Sequence, residues 1–221
     1  MSLLSDIGKG QRYDRLVTYP APLLADEQRD VARSRILGAA MTVLAQRGLD
    51  ATVDDVAEAS GVNRRTVFRH FATRDGLFAA AIREGVRRYA QQLPAPPESD
   101  DLRAWLLDLL LVTHRLNAEN GRIYLELAGL GPELGGELAV AAAERREARR
   151  RFAHGVTTRM WQARGGRARP PAWLVDAVAV HLSGFTTQSL AGDLDRTPDQ
   201  VAAVSVQVIE AALAAALAGA E

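Results

Sequence analysis

The chain has 221 residues and no net charge, with 27 basic and 27 acidic side chains. Its apolar fraction of 48% suffices for one large core or two small ones, and the absence of cysteine excludes disulfides and thiol chemistry. The first residues lack the charged start and apolar run of an export signal, so we expect a cytoplasmic protein. Residues 29–92 contain 11 arginines against 7 acids, so positive charge is concentrated in one part of a neutral chain.

Residues 1–28 show little hydrophobic periodicity and predict a flexible N-terminal extension. Its basic residues Lys9, Arg12 and Arg15 leave a second interpretation open, in which the extension reaches a minor groove of DNA. From residue 29 to residue 47, apolar residues recur at spacings of three and four. This pattern predicts a first helix.

The segment 52–77 reads TVDDVAEASGVNRRTVFRHFATRDGL. Thr52 is placed to cap one short helix, and Ser60 with Gly61 ends it, since glycine tolerates the left-handed backbone beyond a helix end. Asn63 is placed to cap a second short helix. Two capped helices around a glycine turn predict a helix-turn-helix.

The second of these helices has two distinct faces. At about 100° per residue, Val67 and Phe71 share one face, and Arg65 with Arg69 lies opposite. Guanidinium groups bind guanine edges and phosphates in bidentate fashion, so this outer face is suited to the major groove of DNA. An ordinary solvated face is the alternative interpretation.

Residues 33–89 resemble the DNA-binding domain of the TetR family of one-component transcriptional regulators, through RSRILGAAMTVLAQRGLDATVDDVAEASGVNRRTVFRHFATRDGLFAAAI. With the helical periodicity of the remainder, the resemblance implies an all-α fold of about nine helices. An N-terminal three-helix DNA-binding domain with its connecting helix is expected at 29–92. The proline-rich stretch at 94–97 marks a junction, and a C-terminal helical domain for effector binding and dimerisation is expected at 98–221.

The resemblance makes the helix from Asn63 to His70 the recognition helix. Arg74 stands where the family usually has a lysine that holds a phosphate. Phe68 replaces a tyrosine whose hydroxyl commonly reaches a phosphate, and Arg65 occupies a position often held by a small residue, which favours a direct reading role. The residues expected to bind DNA are Thr52, Asn63, Arg64, Arg65, Thr66, Phe68, Arg69, His70 and Arg74.

Beyond residue 98 the sequence predicts helices starting near residue 99 and covering 121–128, 133–163, 170–191 and 198 onward. The cluster ERREARRR at 144–151 predicts a solvated helix face, with a second nucleic-acid patch as the less favoured interpretation. The glycines of GLGPELGG at 129–136 do not indicate a phosphate-binding loop, because no strand precedes them.

The last helix carries two apolar stripes, which predicts two partners: the chain's own core and a second subunit. A membrane tail is disfavoured because Gln207 and Glu210 would lie near its centre. The resemblance also implies a homodimer built through the last two helices. The candidate interface residues are Val178, Leu182, Val201, Val204, Val208 and Ala211.

The resemblance further implies a pocket for an unknown small-molecule effector, which we expect to be largely apolar. Bulky residues with a few polar groups suit such a pocket, although ordinary core packing is the favoured interpretation for any one of them. Four scattered histidines are a poor metal signature, so no metal or cofactor is expected. The candidate lining residues are Trp105, Leu109, His114, Tyr124, Phe152, Met160, His181, Phe185 and Gln188.

The expected function is that of a ligand-responsive repressor that binds a pseudo-palindromic operator as a homodimer. A transcriptional activator, or a constitutive DNA-binding protein without an effector, is the alternative. The chain has no nucleophile elbow, HExxH pair or Walker loop, so an enzyme is not expected.

Overall fold

The computed structural model describes residues 24–98, 102–129, 136–167 and 169–219. This part of the chain is helical without a strand, so the predicted all-α class is confirmed. The first helix begins at Leu24, earlier than predicted, and therefore takes up the end of the expected extension. The remainder of that extension lies outside the described residues.

Nine α-helices and one short 3-10 helix make up the described residues. In chain order they are α1 (Leu24–Arg47), the 3-10 helix (Gly48–Asp50), α2 (Val53–Ser60), α3 (Arg64–His70), α4 (Arg74–Gln92), α5 (Arg103–Gly129), α6 (Gly136–Ala163), α7 (Ala172–His181), α8 (Gly184–Leu194) and α9 (Pro198–Ala218).

The number of helices agrees with the prediction because two errors offset each other. The helix predicted at 121–128 is continuous with the preceding one, and only a kink with non-helical angles at Asn120 separates them. Conversely, the helix predicted at 170–191 is two helices, because the Ser183 hydroxyl accepts from the backbone N–H of Thr186 and starts α8. A serine followed by glycine was a usable signal for that break.

The buried side chains form two clusters. The first contains the apolar faces of α1 to α4, and it also takes Ile123 and Leu127 from α5 and Ala141 and Ala142 from α6. The second lies among α5, α6, α7 and α9. Because the first cluster reaches across the predicted junction, the N-terminal helices pack on the C-terminal helices rather than hanging from a linker.

Helix α9 is, among the described residues, the one helix long and apolar enough to cross a membrane. It packs against α5, α7 and α8 instead. The stripe containing Ala202, Val206 and Ile209 is buried in the chain's own core. Val204 and Val208, on the other stripe, remain about 40% exposed. Core packing explains the first stripe and leaves Val204 and Val208 of the second uncovered by the described residues.

Candidate DNA-binding surface and effector cavity

The caps that the sequence predicts for the helix-turn-helix are present. The Thr52 hydroxyl accepts from the backbone N–H of Asp55 at 3.2 Å, and the Asp55 carboxylate accepts from the backbone N–H of Thr52 at 2.9 Å. This second bond is the main reason why the pKa of Asp55 is lowered. Gly61 ends α2 with φ of 66°, and the Asn63 side chain accepts from the Thr66 N–H at 2.8 Å. Thr52 and Asn63 thus hold helix ends, and their contact with DNA stays a prediction.

Helix α3 presents its arginines away from the core. Val67 and Phe71 are buried, whereas Arg65 and Arg69 are exposed. Neither arginine has an ion pair or side-chain hydrogen bond among the described residues. Arg64 differs, because it pairs with Asp54 and lies over the Phe68 ring. Two unpaired guanidinium groups therefore stand on the face that the helix-turn-helix leaves open.

His70 is less accessible than the sequence suggested. Its Nε2 atom is buried and has no hydrogen-bond partner among the described residues. Burial, together with nearby Arg69, lowers the pKa of His70, so the imidazole is neutral at pH 7. The prediction that His70 contacts DNA has to be corrected for this ring nitrogen, which faces the protein.

Arg74 makes its contacts within the N-terminal domain. Its Nε and Nη2 atoms donate to the Ala51 carbonyl at 3.2 and 3.0 Å, and Nη2 also donates to the Leu49 carbonyl. Nη1 pairs with Asp75, and the guanidinium lies 4.8 Å from the Phe78 ring centroid. Each guanidinium nitrogen already has a partner, so Arg74 has a structural role, and its contact with a phosphate stays a prediction.

Helix α5 contacts the 3-10 helix (Gly48–Asp50), next to the carbonyls to which Arg74 donates. The Glu126 carboxylate accepts from the backbone N–H of Leu49 at 2.5 Å, and Arg122 donates to Asp50 at 2.7 Å. Gly48 has φ of 61°, and a Cβ atom there would lie 2.1 Å from a Glu126 oxygen. Only glycine satisfies both the backbone angle and this close approach.

Helix α6 contacts the connecting helix α4. Arg83 of α4 makes a two-bond pair with Glu144 of α6, at 2.6 and 3.3 Å. The pair is exposed, so its contribution to the free energy of unfolding is small. It links α4 to α6 and so helps to fix their relative position. The N-terminal helices are thus held by both α5 and α6.

A cavity of about 130 Å³ lies where α4, α5, α6 and the start of α8 meet. Of the predicted lining residues, Tyr124 and Phe152 are there. The Tyr124 ring meets the Tyr89 ring edge to face, with centroids 6.4 Å apart. The residues that line the cavity are Val86, Tyr89, Ala90, Leu93, Asn117, Tyr124, Arg145, Ala148, Arg149, Phe152, Ala153, Ala179, Leu182 and Gly184.

The sequence missed the polar lining of this cavity. Arg145 belongs to the cluster at 144–151 that predicted a solvated face, yet it is only 7% exposed. The arginines of this cluster differ in burial because one turn of α6 faces α4 and α5. The charge pattern of this 28-residue helix does not indicate which of its arginines a neighbouring helix covers.

The other predicted lining residues have different surroundings, and those predictions are corrected. Leu109 and Met160 are buried in the second core cluster, and Trp105 donates from Nε1 to the Pro94 carbonyl at 3.0 Å. Phe185 is 67% exposed on α8, and Gln188 does not line the cavity.

His114 and His181 belong to a polar network between helices, also outside the cavity. The Nδ1 atom of His114 lies 2.8 Å from the Thr187 hydroxyl, and its Nε2 atom lies 3.3 Å from the Ser205 hydroxyl. The Nδ1 atom of His181 is 3.1 Å from the same Ser205 oxygen. Burial, and secondarily the neighbouring His181, lowers the pKa of His114 to about 4. The network joins α5, α7, α8 and α9 with neutral imidazoles.

Three of the predicted interface residues are not available to a partner. Val178, Leu182 and Val201 are buried in the protomer because they face the helices of their own core, and their assignment to an interface is corrected. Val204, Val208 and Ala211 are exposed on α9, and for these the interface stays a prediction.

Comparison with known proteins finds a family match over the helix-turn-helix part of the chain. Residues 36–81 match the family described as "Bacterial regulatory proteins, tetR family". A curated relative, the HTH-type transcriptional repressor Rv1474c of Mycobacterium tuberculosis, is 30% identical over 109 residues, covering 43% of this chain and 56% of that protein. An uncharacterized HTH-type transcriptional regulator of the same species, Rv1255c, is 26% identical over 118 residues, covering 52% of this chain and 58% of the relative. The chain thus spans just over half the length of the curated relatives it matches.

Solved structures share the fold over most of the chain. A tetR-family transcriptional regulator from Streptomyces coelicolor has a TM-score of 0.65 and 24% identity, covering 87% of this chain and 84% of that one. FadR from Bacillus subtilis, determined in complex with stearoyl-CoA, has a TM-score of 0.58 and 16% identity, covering 81% and 97%. With the family match on the helix-turn-helix, the capped helices and the shared fold, residues 36–81 form a helix-turn-helix domain of the TetR family, and the described helices share the fold of TetR-family structures.

Proposed function

We propose that the protein is a cytoplasmic, non-catalytic transcriptional repressor that binds a pseudo-palindromic operator as a homodimer and is released by a small molecule. The observation that carries the DNA-binding part is the pair Arg65 and Arg69, exposed and without partners in the described chain, opposite the buried face of a capped helix-turn-helix. Repression rather than activation is favoured by the relative named a repressor.

The homodimer is supported by the exposed stripe of α9. Val204, Val208 and Ala211 leave apolar surface open on a helix whose other stripe is buried. A second copy of the same surface would cover it around a twofold axis. Two recognition helices related by that axis read half-sites about 34–36 Å apart, which is why the operator is expected to be a pseudo-palindrome.

The effector part is supported by the cavity and its neighbours. Tyr89 belongs to α4, the helix that begins immediately after the helix-turn-helix, and Tyr124 belongs to the part of α5 that contacts Asp50 and Leu49. A molecule in the cavity would touch α4 of the N-terminal domain and also α5 and α6, the two helices that hold this domain. Ligand binding therefore has a short physical route to the spacing of the two recognition helices.

Selection from random double-stranded DNA tests the DNA-binding part without knowledge of the target. The purified chain is expected to enrich a pseudo-palindrome whose half-sites are about 10 base pairs apart, or a multiple of that spacing. Enrichment of no common sequence would contradict sequence-specific regulation and favour a constitutive architectural protein.

A further inference from the structure

The polar lining of the cavity consists of hydrogen-bond donors with no acid among them. Arg145, Arg149 and Asn117 lie there with Tyr89 and Tyr124, and every other lining residue of the described chain is apolar or glycine. Burial raises the pKa of Tyr124 to about 12, so its hydroxyl stays protonated. The cavity is thus apolar with a positive, donor-rich part.

Arg145 is the central feature of that part. It is 93% buried, and its guanidinium lies 4.6 Å from the Tyr124 ring centroid. No acidic side chain of the described residues forms an ion pair with it, and the nearby charge of Arg149 has the same sign. Burial lowers the pKa of Arg145, yet an arginine keeps its charge in proteins. Buried charges are normally paired, so this guanidinium is suited to an anionic partner.

Asn117 gives an independent observation that points to a ligand. It is 3% exposed on α5, and its Nδ2 amide has no hydrogen-bond partner among the described residues. Buried amide groups are almost always bonded. Because Asn117 and Arg145 line the same cavity from two different helices, two unmet donors converge on one space.

We propose that this cavity binds a small apolar molecule bearing one carboxylate, with Arg145 as the bidentate partner of the carboxylate and Asn117 as a further donor. The planar guanidinium fork matches the two oxygens of a carboxylate. Val86, Leu93 and Phe152 provide the contacts for the apolar body. The proposal rests on the proposed function and deepens it, since it assigns a carboxylate to the effector that we expect to be largely apolar.

The proposal is tested by calorimetric titration of the full-length chain, without DNA, with saturated carboxylates of six to twelve carbons and with the primary alcohols of equal length. At least one carboxylate is expected to bind tenfold or more tightly than its alcohol, because only the acid satisfies Arg145. Equal affinity for acid and alcohol, or no binding by any carboxylate of the series, would overturn the proposal. This comparison uses the natural chain and needs no variant.

Arg145→Met provides the second measurement, because methionine keeps the apolar volume and removes the charge. The variant is expected to lose the preference for acid over alcohol, and its unliganded Tm is expected to rise since an unpaired buried charge is gone. Arg150→Met is the matched control on the exposed face of the same helix, and it should leave the preference unchanged. Retention of the acid preference by Arg145→Met would overturn the assignment of this residue.

Failure of this proposal and failure of the proposed function give different results. Tight carboxylate binding without any effect on DNA affinity would support the site and contradict its role as an effector site. DNA release by neutral compounds only, with no carboxylate bound, would support an effector-responsive repressor and overturn the carboxylate.

Discussion

At the scale of the residue, arginines near the helix-turn-helix differ in what their guanidinium groups contact. Arg65 and Arg69 have no partner among the described residues, whereas Arg74 donates to two backbone carbonyls and pairs with an acid. An unpaired guanidinium gives up only hydrogen bonds to water when it binds DNA. Arg74 would also have to break its hydrogen bonds to the carbonyls of Leu49 and Ala51. We therefore propose that Arg65 and Arg69 read DNA and that Arg74 stabilises the domain.

Arg74→Met should lower the free energy of unfolding by about 1–3 kcal/mol, the usual cost of losing hydrogen bonds from a charged donor to partly buried carbonyls. Urea denaturation followed by circular dichroism measures the change. Arg196→Met serves as a control at an exposed position of the C-terminal helices. An unchanged midpoint together with weaker binding to all DNA sequences would restore Arg74 to the phosphate-contacting role.

Sequence reasoning succeeded at the residue scale where a local rule applies. The caps at Thr52 and Asn63 and the opposed faces of α3 follow from spacing alone. It failed for Arg145 and His70, because burial of a polar side chain depends on which neighbouring helix covers it. It also failed for Val178 and Val201, since an apolar stripe does not indicate whether it faces its own core or another subunit.

At the scale of the element, the contact of α5 with the loop at 48–50 connects the cavity helix to the DNA-binding domain. Gly48→Ala is expected to destabilise the chain by about 1–3 kcal/mol, since alanine is strained at positive φ and its Cβ would displace Glu126. Gly38→Ala is the matched control: no neighbouring atom lies within 4 Å of a Cβ there, and alanine favours the helix by up to about 1 kcal/mol. Thermal unfolding of both variants measures the difference. Equal shifts in Tm for the two variants would show that Gly48 is not required for the contact with Glu126.

The histidine network between α5 and α9 makes stability depend on pH. His114 is fully buried with a pKa of about 4, whereas an unfolded histidine titrates near 6.5. Below pH 6.5, His114 binds a proton in the unfolded chain but stays neutral in the folded chain. The contribution of His114 to the free energy of unfolding is therefore fully present above pH 6.5 and decreases as the pH falls towards 4. Between pH 7.5 and pH 5 the loss from this group is about 2 kcal/mol.

Chemical denaturation at several pH values measures this dependence. His114→Gln should flatten the decrease, although His181, whose pKa is also lowered by burial, retains a part of it. His154→Gln, at an exposed position, should leave the dependence as it is. A wild-type stability that stays constant from pH 7.5 to pH 5 would be inconsistent with a buried neutral imidazole.

At the scale of the whole molecule, the open stripe of α9 determines the proposed assembly. Val208→Arg places a charge on that stripe without touching the core, since Val208 is 40% exposed. We expect this variant to sediment as a folded monomer, because a dimer interface does not tolerate an unpaired charge at its centre. Val140→Arg, at a 52% exposed position of α6, should remain dimeric. A dimer in both variants would assign the interface to another surface.

The overall architecture was predictable because helix periodicity and the family resemblance agree over the N-terminal third. The remaining helices were predictable in type but not in their breaks, since Asn120 kinks a helix without ending it and Ser183 ends one that appeared continuous. The cavity was not predictable from spacing, because its lining comes from helices far apart in sequence.

The central claim is that the outer face of α3 reads DNA. Its most direct test is a fluorescence anisotropy titration of the selected operator and a scrambled duplex with the wild-type chain, Arg65→Ala, Arg69→Ala and the control Arg196→Ala. Each of the two recognition variants should lose about 1–3 kcal/mol of binding to the operator and little on the scrambled duplex, while the control binds as the wild type does. Unchanged operator affinity in both recognition variants would contradict the account.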